Sequence, residues 1–468
     1  PEAQIAGNLV DLANAQSAVI DEMLQIVAFA LPVILLILLI STHSWLEPAV
    51  FLFTIGISIL LNMGSNIFLG EISFMSQAIS AVLQLAVSMD YAIFLLHSFN
   101  SYREEGHEPV DAMQRAMRHS LPAIFSSAVT TVIGFLALLF MRFRLGADLG
   151  LVMAKGIALS SLTVMIFMPT LILLTYKWID RTRHRSFLPD FTKLGKLVVK
   201  GRWGIVVLVL LIAIPSFLAS RNNDYIYGMG AYAPDSRAAN DIAAIEEDFG
   251  HQVQLALMVP RGDVPAEQRL QEDLEELPTI LSVMSYVSVV DPTIPADAIA
   301  DEQLSMLLSE DYSMFILTSN TPAEGEIAFS LTEEIRDLAE AEYGDRYHLT
   351  GEPVNMKDMK DTVEADEIIV NGLAILAIAL TILFVYRSLS LPIILVLTIE
   401  IAIWINLGIP YFTGTTLSYI GYLIVSTVQL GATVDYAILY TQHYLDNRKQ
   451  LGKRDAVIAS TRQAIPSL

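Results

Sequence analysis

Gln84-Leu85-Ala86-Val87-Ser88-Met89-Asp90-Tyr91-Ala92-Ile93 returns further along the chain as Gln429-Leu430-Gly431-Ala432-Thr433-Val434-Asp435-Tyr436-Ala437-Ile438. Each copy sits in a long apolar stretch, and each places an Asp-Tyr pair near its middle. A carboxylate at membrane depth is costly to keep charged, so Asp90 and Asp435 are functional candidates. The recurrence, 435 − 90 = 345 residues apart, reads as two copies of one transmembrane unit. Repeated bundles with ionisable groups near the bilayer midplane suit transporters.

Working outward, apolar runs of about 20 residues, long enough to span, fall at about 24–41, 49–69, 75–98, 120–141, 150–176, 203–220, 367–387, 389–409 and 417–443. That pattern predicts nine helices. The chain is 54% hydrophobic and 17% charged, with a mean hydropathy of +0.52. It is read as an integral membrane protein with room for one sizeable soluble domain. There is no cysteine, which excludes disulfides and thiolate metal sites.

The net charge of −22 is local. Residues 221–364 hold 30 Asp+Glu and 8 Lys+Arg, and the rest of the chain is about neutral. Basic residues gather in three places: 177–202 (Lys177, Arg181, Arg183, Arg185, Lys193, Lys196, Lys200 and Arg202), the tail after 443, and the 99–119 loop. The excess of Lys and Arg puts these segments on the cytoplasmic side and the acidic segment outside. Arg142 and Arg144 dissent, lying on the outer side. No basic surface interleaved with aromatics supports nucleic-acid binding. No G-x-x-x-x-G-K-[ST] loop is present, so the energy source is expected to be an ion gradient rather than a nucleotide or other cofactor.

The acidic segment alternates strand-like runs (253–259, 313–318) with amphipathic helical ones (266–277, 324–343), and 291–295 reads as a Pro-rich loop. The pattern predicts an α+β domain of βαβ-like units. His251 and His348 lack ligand-like spacing, so no metal site is expected. The 101–119 stretch, with Val110, Met113 and Met117 at helical spacing, reads as an amphipathic helix at the interface.

The repeat extends past the Asp-Tyr phrase. Arg103 matches Arg448, and after a one-residue gap Asp111-Ala112 matches Asp455-Ala456, Arg118 matches Arg462 and Pro122 matches Pro466. The fold expected is therefore an α-helical transmembrane bundle with an internal two-fold repeat, plus an extracytoplasmic α+β domain. Its segments are 24–176 (first repeat, five helices), 177–202 (basic cytoplasmic linker), 203–220 (first helix of the second repeat), 221–366 (α+β domain) and 367–468 (second repeat, truncated).

The chemistry is expected at Asp90 and Asp435. Removal from water favours the neutral carboxyl, so such a group can take up and release a proton. Tyr91 and Tyr436 are placed to hydrogen-bond the opposite carboxylate. Ser126, Thr130 and Gly134 align at a spacing of four on the following helix, with Ser127 and Thr131 beside them. They serve either close packing or a hydroxyl relay. Glu400 is a further intramembrane acid without a basic neighbour. Asn62 and Asn66, nearer a helix end, read as structural contacts.

With these residues in hand, the chain resembles the resistance-nodulation-division (RND) superfamily, and within it the MMPL (mycobacterial-membrane-protein-large-like) exporters. The resemblance covers the chain as helices two to ten of a twelve-helix pattern. It makes 221–366 the second porter domain and 1–23 the end of a truncated first one. It implies that Asp90-Tyr91 and Asp435-Tyr436 form a proton relay, supported by Ser126, Ser127 and Thr130. Gly431 fits the glycine expected four residues before the aspartate, and Ala86 departs from it. The resemblance further implies proton-driven export of lipids or other hydrophobic compounds from a multi-pass position in a bacterial plasma membrane. Its partners are then membrane lipids and a hydrophobic small-molecule or lipid substrate, and a homo-oligomer is compatible with the pattern. Two alternatives share the bundle: a sterol-sensing-type regulator and a proton-driven protein-secretion helper. No nucleophile–base or metal constellation points to an enzyme.

Overall fold

The computed structural model describes residues 8–184, 187, 191–228, 237–250, 252–290 and 306–465. The expectations placed on 1–7, Arg185, His251, 291–295 and Pro466 lie outside these residues. The chain divides into two compact units, one of 16–224 with 365–468 and one of 1–15 with 225–364.

In chain order the elements are α1 (Asn8–Ser41), α2 (Glu47–Ser65), α3 (Phe74–Val87), α4 (Met89–Glu104), α5 (Pro109–Leu136), α6 (Arg144–Arg181), α7 (Thr192–Ser220), α8 (Arg237–Phe249), β1 (Val253–Pro260), α9 (Val264–Glu275), β2 (Ile280–Met284), β3 (Tyr312–Ser319), α10 (Glu326–Tyr343), β4 (His348–Gly351), α11 (Glu352–Tyr386), α12 (Ser390–Thr413), α13 (Tyr419–Arg448) and α14 (Lys453–Ala464).

Among the described residues, eight segments are long and apolar enough to cross a membrane, the first at Glu47–Leu69 and the last at Tyr419–Arg448. The expected ninth, 24–41, is represented by the shorter apolar helix Gln25–Ser41. The helices outrun their apolar runs. α6 continues to Arg181 and α7 already starts at Thr192, so the basic segment 177–202 is largely helix ends. The expected separate helix over 101–119 is not formed. α4 ends at Glu104, the chain turns at Gly106 with φ +92°, and Pro109 starts α5, which runs unbroken into the membrane. Proline suits a helix's first position because its missing N–H would have had no partner there. Ser88 joins α3 to α4 in helical conformation, its N–H donating to the Gln84 carbonyl, so the pair makes one span, Phe74–Glu104.

In the helical unit α5 packs on α4, α6 and α13, while α6 also packs on α2 and α3. The α2–α3–α6 junction is held by polar groups. Gln84 Nε2 lies 2.7 Å from Ser58 Oγ, 2.9 Å from Ser160 Oγ and 3.1 Å from the Gly156 carbonyl. Its Oε1 accepts from Asn62 Nδ2 at 2.9 Å. With no water to compete, such bonds hold helices together at about 0.6–2 kcal/mol each. Lys155 Nζ donates to the Asn62 carbonyl at 2.9 Å and to Asn66 Oδ1, which caps the C-terminal turn of α2, where backbone carbonyls lack helical partners.

The other unit is a four-stranded sheet of order β2-β3-β1-β4 with every neighbouring pair antiparallel. β1 and β2 are therefore parallel with β3 between them, and β3 and β4 are parallel with β1 between them. This is the split βαβ, ferredoxin-like arrangement. The βαβ-like units are β1-α9-β2 and β3-α10-β4, each with a strand of the other inserted between its own two; sequence periodicity does not report that insertion. β1 alternates buried and partly exposed residues along its length. Leu255, Leu257, Phe315 and Leu317 meet Leu270 and Leu274 of α9 and Leu331 and Ile335 of α10 in one core. Each fully buried side chain of this size contributes roughly 1.5–3 kcal/mol. Asp263 starts α9 by accepting from the Ala266 N–H at 3.2 Å. Gly351 closes β4 with φ +151°, where a Cβ would stand 2.9 Å from the Gln254 carbonyl oxygen.

Candidate functional site

α4 and α13 meet α5 around a cavity of about 40 Å³, lined by Asp90, Tyr91, Ser127, Asp435 and Tyr436 together with apolar side chains. That is room for one or two water molecules. Asp435 is 7% exposed. Its Oδ2 is 3.2 Å from Thr131 Oγ1, and among the described residues its Oδ1 has no hydrogen-bond partner. The Thr131 hydroxyl has one proton and three acceptors in reach: the Ser127 carbonyl at 3.1 Å, the Gly431 carbonyl at 3.2 Å and Asp435. The hydroxyls of Ser127 and Thr130 approach the same carboxylate, although Thr130 gives its proton to the Ser127 carbonyl at 2.7 Å.

Asp90, half-buried on α4, lines this cavity together with Tyr436 of α13. Tyr91 of α4 lines it beside Asp435 of α13, but its buried hydroxyl oxygen has no hydrogen-bond partner among the described residues, so the expected bond to the opposite carboxylate is not formed. The two carboxylates are near enough to act on each other electrostatically.

α5 and α13 meet with glycine on both sides of the contact. A Cβ on Gly134 would lie 3.5 Å from Gly431 Cα, and one on Gly431 would lie 3.6 Å from Thr131 Cγ2. Both are van der Waals distances with no room for anything longer.

Of the residues singled out in the sequence, Asp90, Tyr91, Asp435, Tyr436, Ser127 and Thr130 come together here, with Gly431 at the helix contact. Ser126 donates to the Ala123 carbonyl at 3.0 Å, and its own carbonyl accepts from Thr130. Glu400 is half-buried on α12, and it does not line the cavity.

Two polar residues were not read from the sequence. Gln84, the first letter of the repeated phrase, is the hub described above. Asp366 on α11, 1% exposed, accepts from the backbone N–H groups of Arg142 at 2.6 Å and Phe143 at 3.2 Å, and from Arg142 Nε at 2.8 Å. Arg142, an arginine on the wrong side by the charge rule, thus has a buried counter-ion.

The arrangement is that of a multi-pass membrane protein with a carboxylate pair enclosed between its helices. The chain belongs to the MMPL family, whose model matches residues 2–213 and 234–468. It is 24% identical over 434 residues to the apo-petrobactin exporter of Bacillus anthracis, covering 83% of this chain and 55% of that protein. It is 24% identical over 254 residues to the siderophore exporter MmpL5 of Mycobacterium tuberculosis, covering 52% of this chain and 26% of that one. Among solved structures it is similar to SecDF, a translocon-associated membrane protein from Thermus thermophilus. The TM-score is 0.57 and the identity 14%, covering 97% of this chain and 55% of that one, a likeness of fold. The chain spans little more than half the length of the first of these relatives.

Proposed function

We propose that this chain is the membrane core of an exporter driven by the proton-motive force, with Asp90-Tyr91 and Asp435-Tyr436 as its proton relay. The observation that carries the reading is that two carboxylates and two tyrosines, one pair from α4 and one from α13, line a single small cavity. A proton entering from outside neutralises one carboxylate. The repulsion and the desolvation cost both fall, and α4 and α13 settle closer around α5. Release of the proton to the cytoplasm restores the charge and the earlier packing. Each charge moved is worth about 2.3 kcal/mol per 100 mV, enough to bias an equilibrium between two packings a few kcal/mol apart.

An internal two-fold repeat supports the reading. Asn62 Nδ2 donates to Gln84 Oε1 at 2.9 Å, and Asn406 Nδ2 donates to Gln429 Oε1 at 2.9 Å. Asn62 and Asn406 stand 344 residues apart and Gln84 and Gln429 345, the spacing expected, to within one residue, of two copies of one unit. In this scheme 24–176 is one repeat, 203–220 with 367–468 is the other, and the α+β unit is the extracytoplasmic porter domain. The substrate is a hydrophobic or amphiphilic compound, either a lipid or, by the names of two relatives, a siderophore-like molecule. The likeness to SecDF is one of fold and does not bring protein secretion with it.

The test is proton uptake by the purified protein in proteoliposomes under an imposed pH gradient, for wild type, Asp90→Asn and Asp435→Asn. Both variants are expected to lose uptake while remaining folded. Full uptake in both variants would end the relay reading and favour a lipid-sensing regulator, which does not need the carboxylates.

A further inference from the structure

We propose that His97, His119 and His443 form the cytoplasmic exit of the proton path, accepting the proton that leaves the Asp90–Asp435 pair. The proposal rests on the proton-driven reading above and adds the group that takes the proton.

The cavity lies wholly to one side of the carboxylates. Its lining residues on α4 and α13 all stand at or after the aspartate, and those on α5 all stand at or before Ser127. α4 and α13 run toward Arg103 and Arg448, and α5 runs away from Arg118. The cavity therefore extends from the carboxylates toward the basic ends of all three helices. Phe94, Ala123 and Leu439 line it on the three helices. One helical turn beyond each, on the same helix face, stand His97, His119 and His443.

The imidazoles converge. The His119 ring centroid is 6.3 Å from that of Phe94. His443 feels the charge of His119, His97 and Asp446, and His97 feels that of His43 and Glu104. Exposure rises along the way: Asp435 is buried, His97 and His443 are half-buried, and His119 is exposed. A surface histidine needs no explanation by itself. Three stand one turn beyond the lining residues of one cavity on three neighbouring helices, and together they make a path.

Imidazole is the side chain whose ordinary titration falls between pH 5 and 8. The seven residues from Asp90 to His97 rise about 10 Å, a gap bridged by the waters of the cavity together with water entering at the exposed His119. The step is a proton transfer alone. The O–H bond of the protonated carboxyl breaks, an N–H bond forms on a neutral imidazole through the water chain, and the imidazolium gives its proton to cytoplasmic water.

The experiment compares proton uptake in proteoliposomes for wild type and the triple variant His97→Gln, His119→Gln, His443→Gln, with weak buffer on the cytoplasmic side. Positioned proton-transfer groups contribute about 10²-fold or more. With water competing, a fall of about 10-fold is expected, restored when imidazole is added to the cytoplasmic side. A merely structural role would not respond to added imidazole. Uptake equal to wild type, or lowered uptake that imidazole leaves unchanged, overturns the exit. If the triple variant does not fold, His119→Gln with His443→Gln carries the same test and the same outcomes. Wild-type protein that takes up no protons overturns the proton-driven reading and this proposal with it, whereas a triple variant matching an active wild type overturns this proposal alone.

Discussion

Asp366 offers a sharp test of how the helical unit is held together. Its carboxylate collects three donors, two of them backbone N–H groups of the α5–α6 turn and one the Arg142 guanidinium. The Arg142 side chain is 63% exposed and the Asp366 side chain 2%. An exposed charge contributes about 0–1 kcal/mol to such a pair, so Arg142→Ala is expected to cost about 1 kcal/mol or less. The two backbone donors remain satisfied in that variant. Asp366→Ala removes the acceptor from all three donors. Hydrogen bonds to a charged group are worth roughly 1.5–3 kcal/mol each, and they do not add fully when they share one acceptor. A cost of about 3–5 kcal/mol follows, most of it from the two backbone donors left without an acceptor. The assay is equilibrium unfolding in mixed detergent–SDS micelles, followed by the fluorescence of the four tryptophans. Equal costs for the two variants, or a cost below about 1 kcal/mol for Asp366→Ala, would refute the claim that the carboxylate acts mainly through the backbone.

Two further tests concern other parts of the chain. Glu267, 1% exposed, accepts from Ser313 Oγ at 3.0 Å and has one oxygen without a partner among the described residues, and burial pushes its carboxyl above the ordinary range. Because the folded form holds the proton more tightly than the unfolded one, its contribution is full below the ordinary glutamate range and is lost as pH rises through the raised value. Hydrogen exchange of β1, corrected for the intrinsic rate, should show protection falling from acid toward neutral pH, and Glu267→Gln should flatten that slope. At the α5–α13 contact, Gly431→Ala should leave unfolding and proton uptake nearly unchanged, since a Cβ finds van der Waals space. Gly431→Leu should cost about 1–3 kcal/mol by overpacking and part Thr131 from Asp435. If uptake survives in the leucine variant, the close approach is not needed by the relay.

The site was more legible in the sequence than the connections that hold it. Asp-Tyr pairs announce themselves because a carboxylate inside an apolar run has few reasons to be there, and their recurrence at matching places on α4 and α13 pointed to a meeting. The hydroxyl ladder of α5 was also readable, because a spacing of four needs only helical geometry. What sequence could not rank was which hydroxyl serves the carboxylate. Ser126 turns back to its own helix, while Thr131, beside the ladder, reaches Asp435. Asp366 was hidden because it stands in an acidic run, 364–367, where each carboxylate looks alike until a turn from another part of the chain delivers donors to one of them. The apolar runs located helix middles and not helix ends, since α-helical hydrogen bonding continues as readily through Arg181 and Thr192 as through leucine. The strand order β2-β3-β1-β4 was invisible for a related reason: alternation fixes which face a strand buries but not its neighbour.

The sheet's two outer strands are also its shortest. β2 has five residues and its register shifts between Ile280 and Ser282, and β4 has four and ends at Gly351. An outer strand offers unpaired N–H and C=O groups to any passing chain, and length and regularity are what make that offer dangerous. Here the long, regular strands, β1 and β3, are paired on both sides. A polypeptide seeking to add itself to this sheet finds only a few backbone groups at either border. The unit thereby resists edge-to-edge aggregation without a covalent staple, in a chain that has no cysteine to supply one.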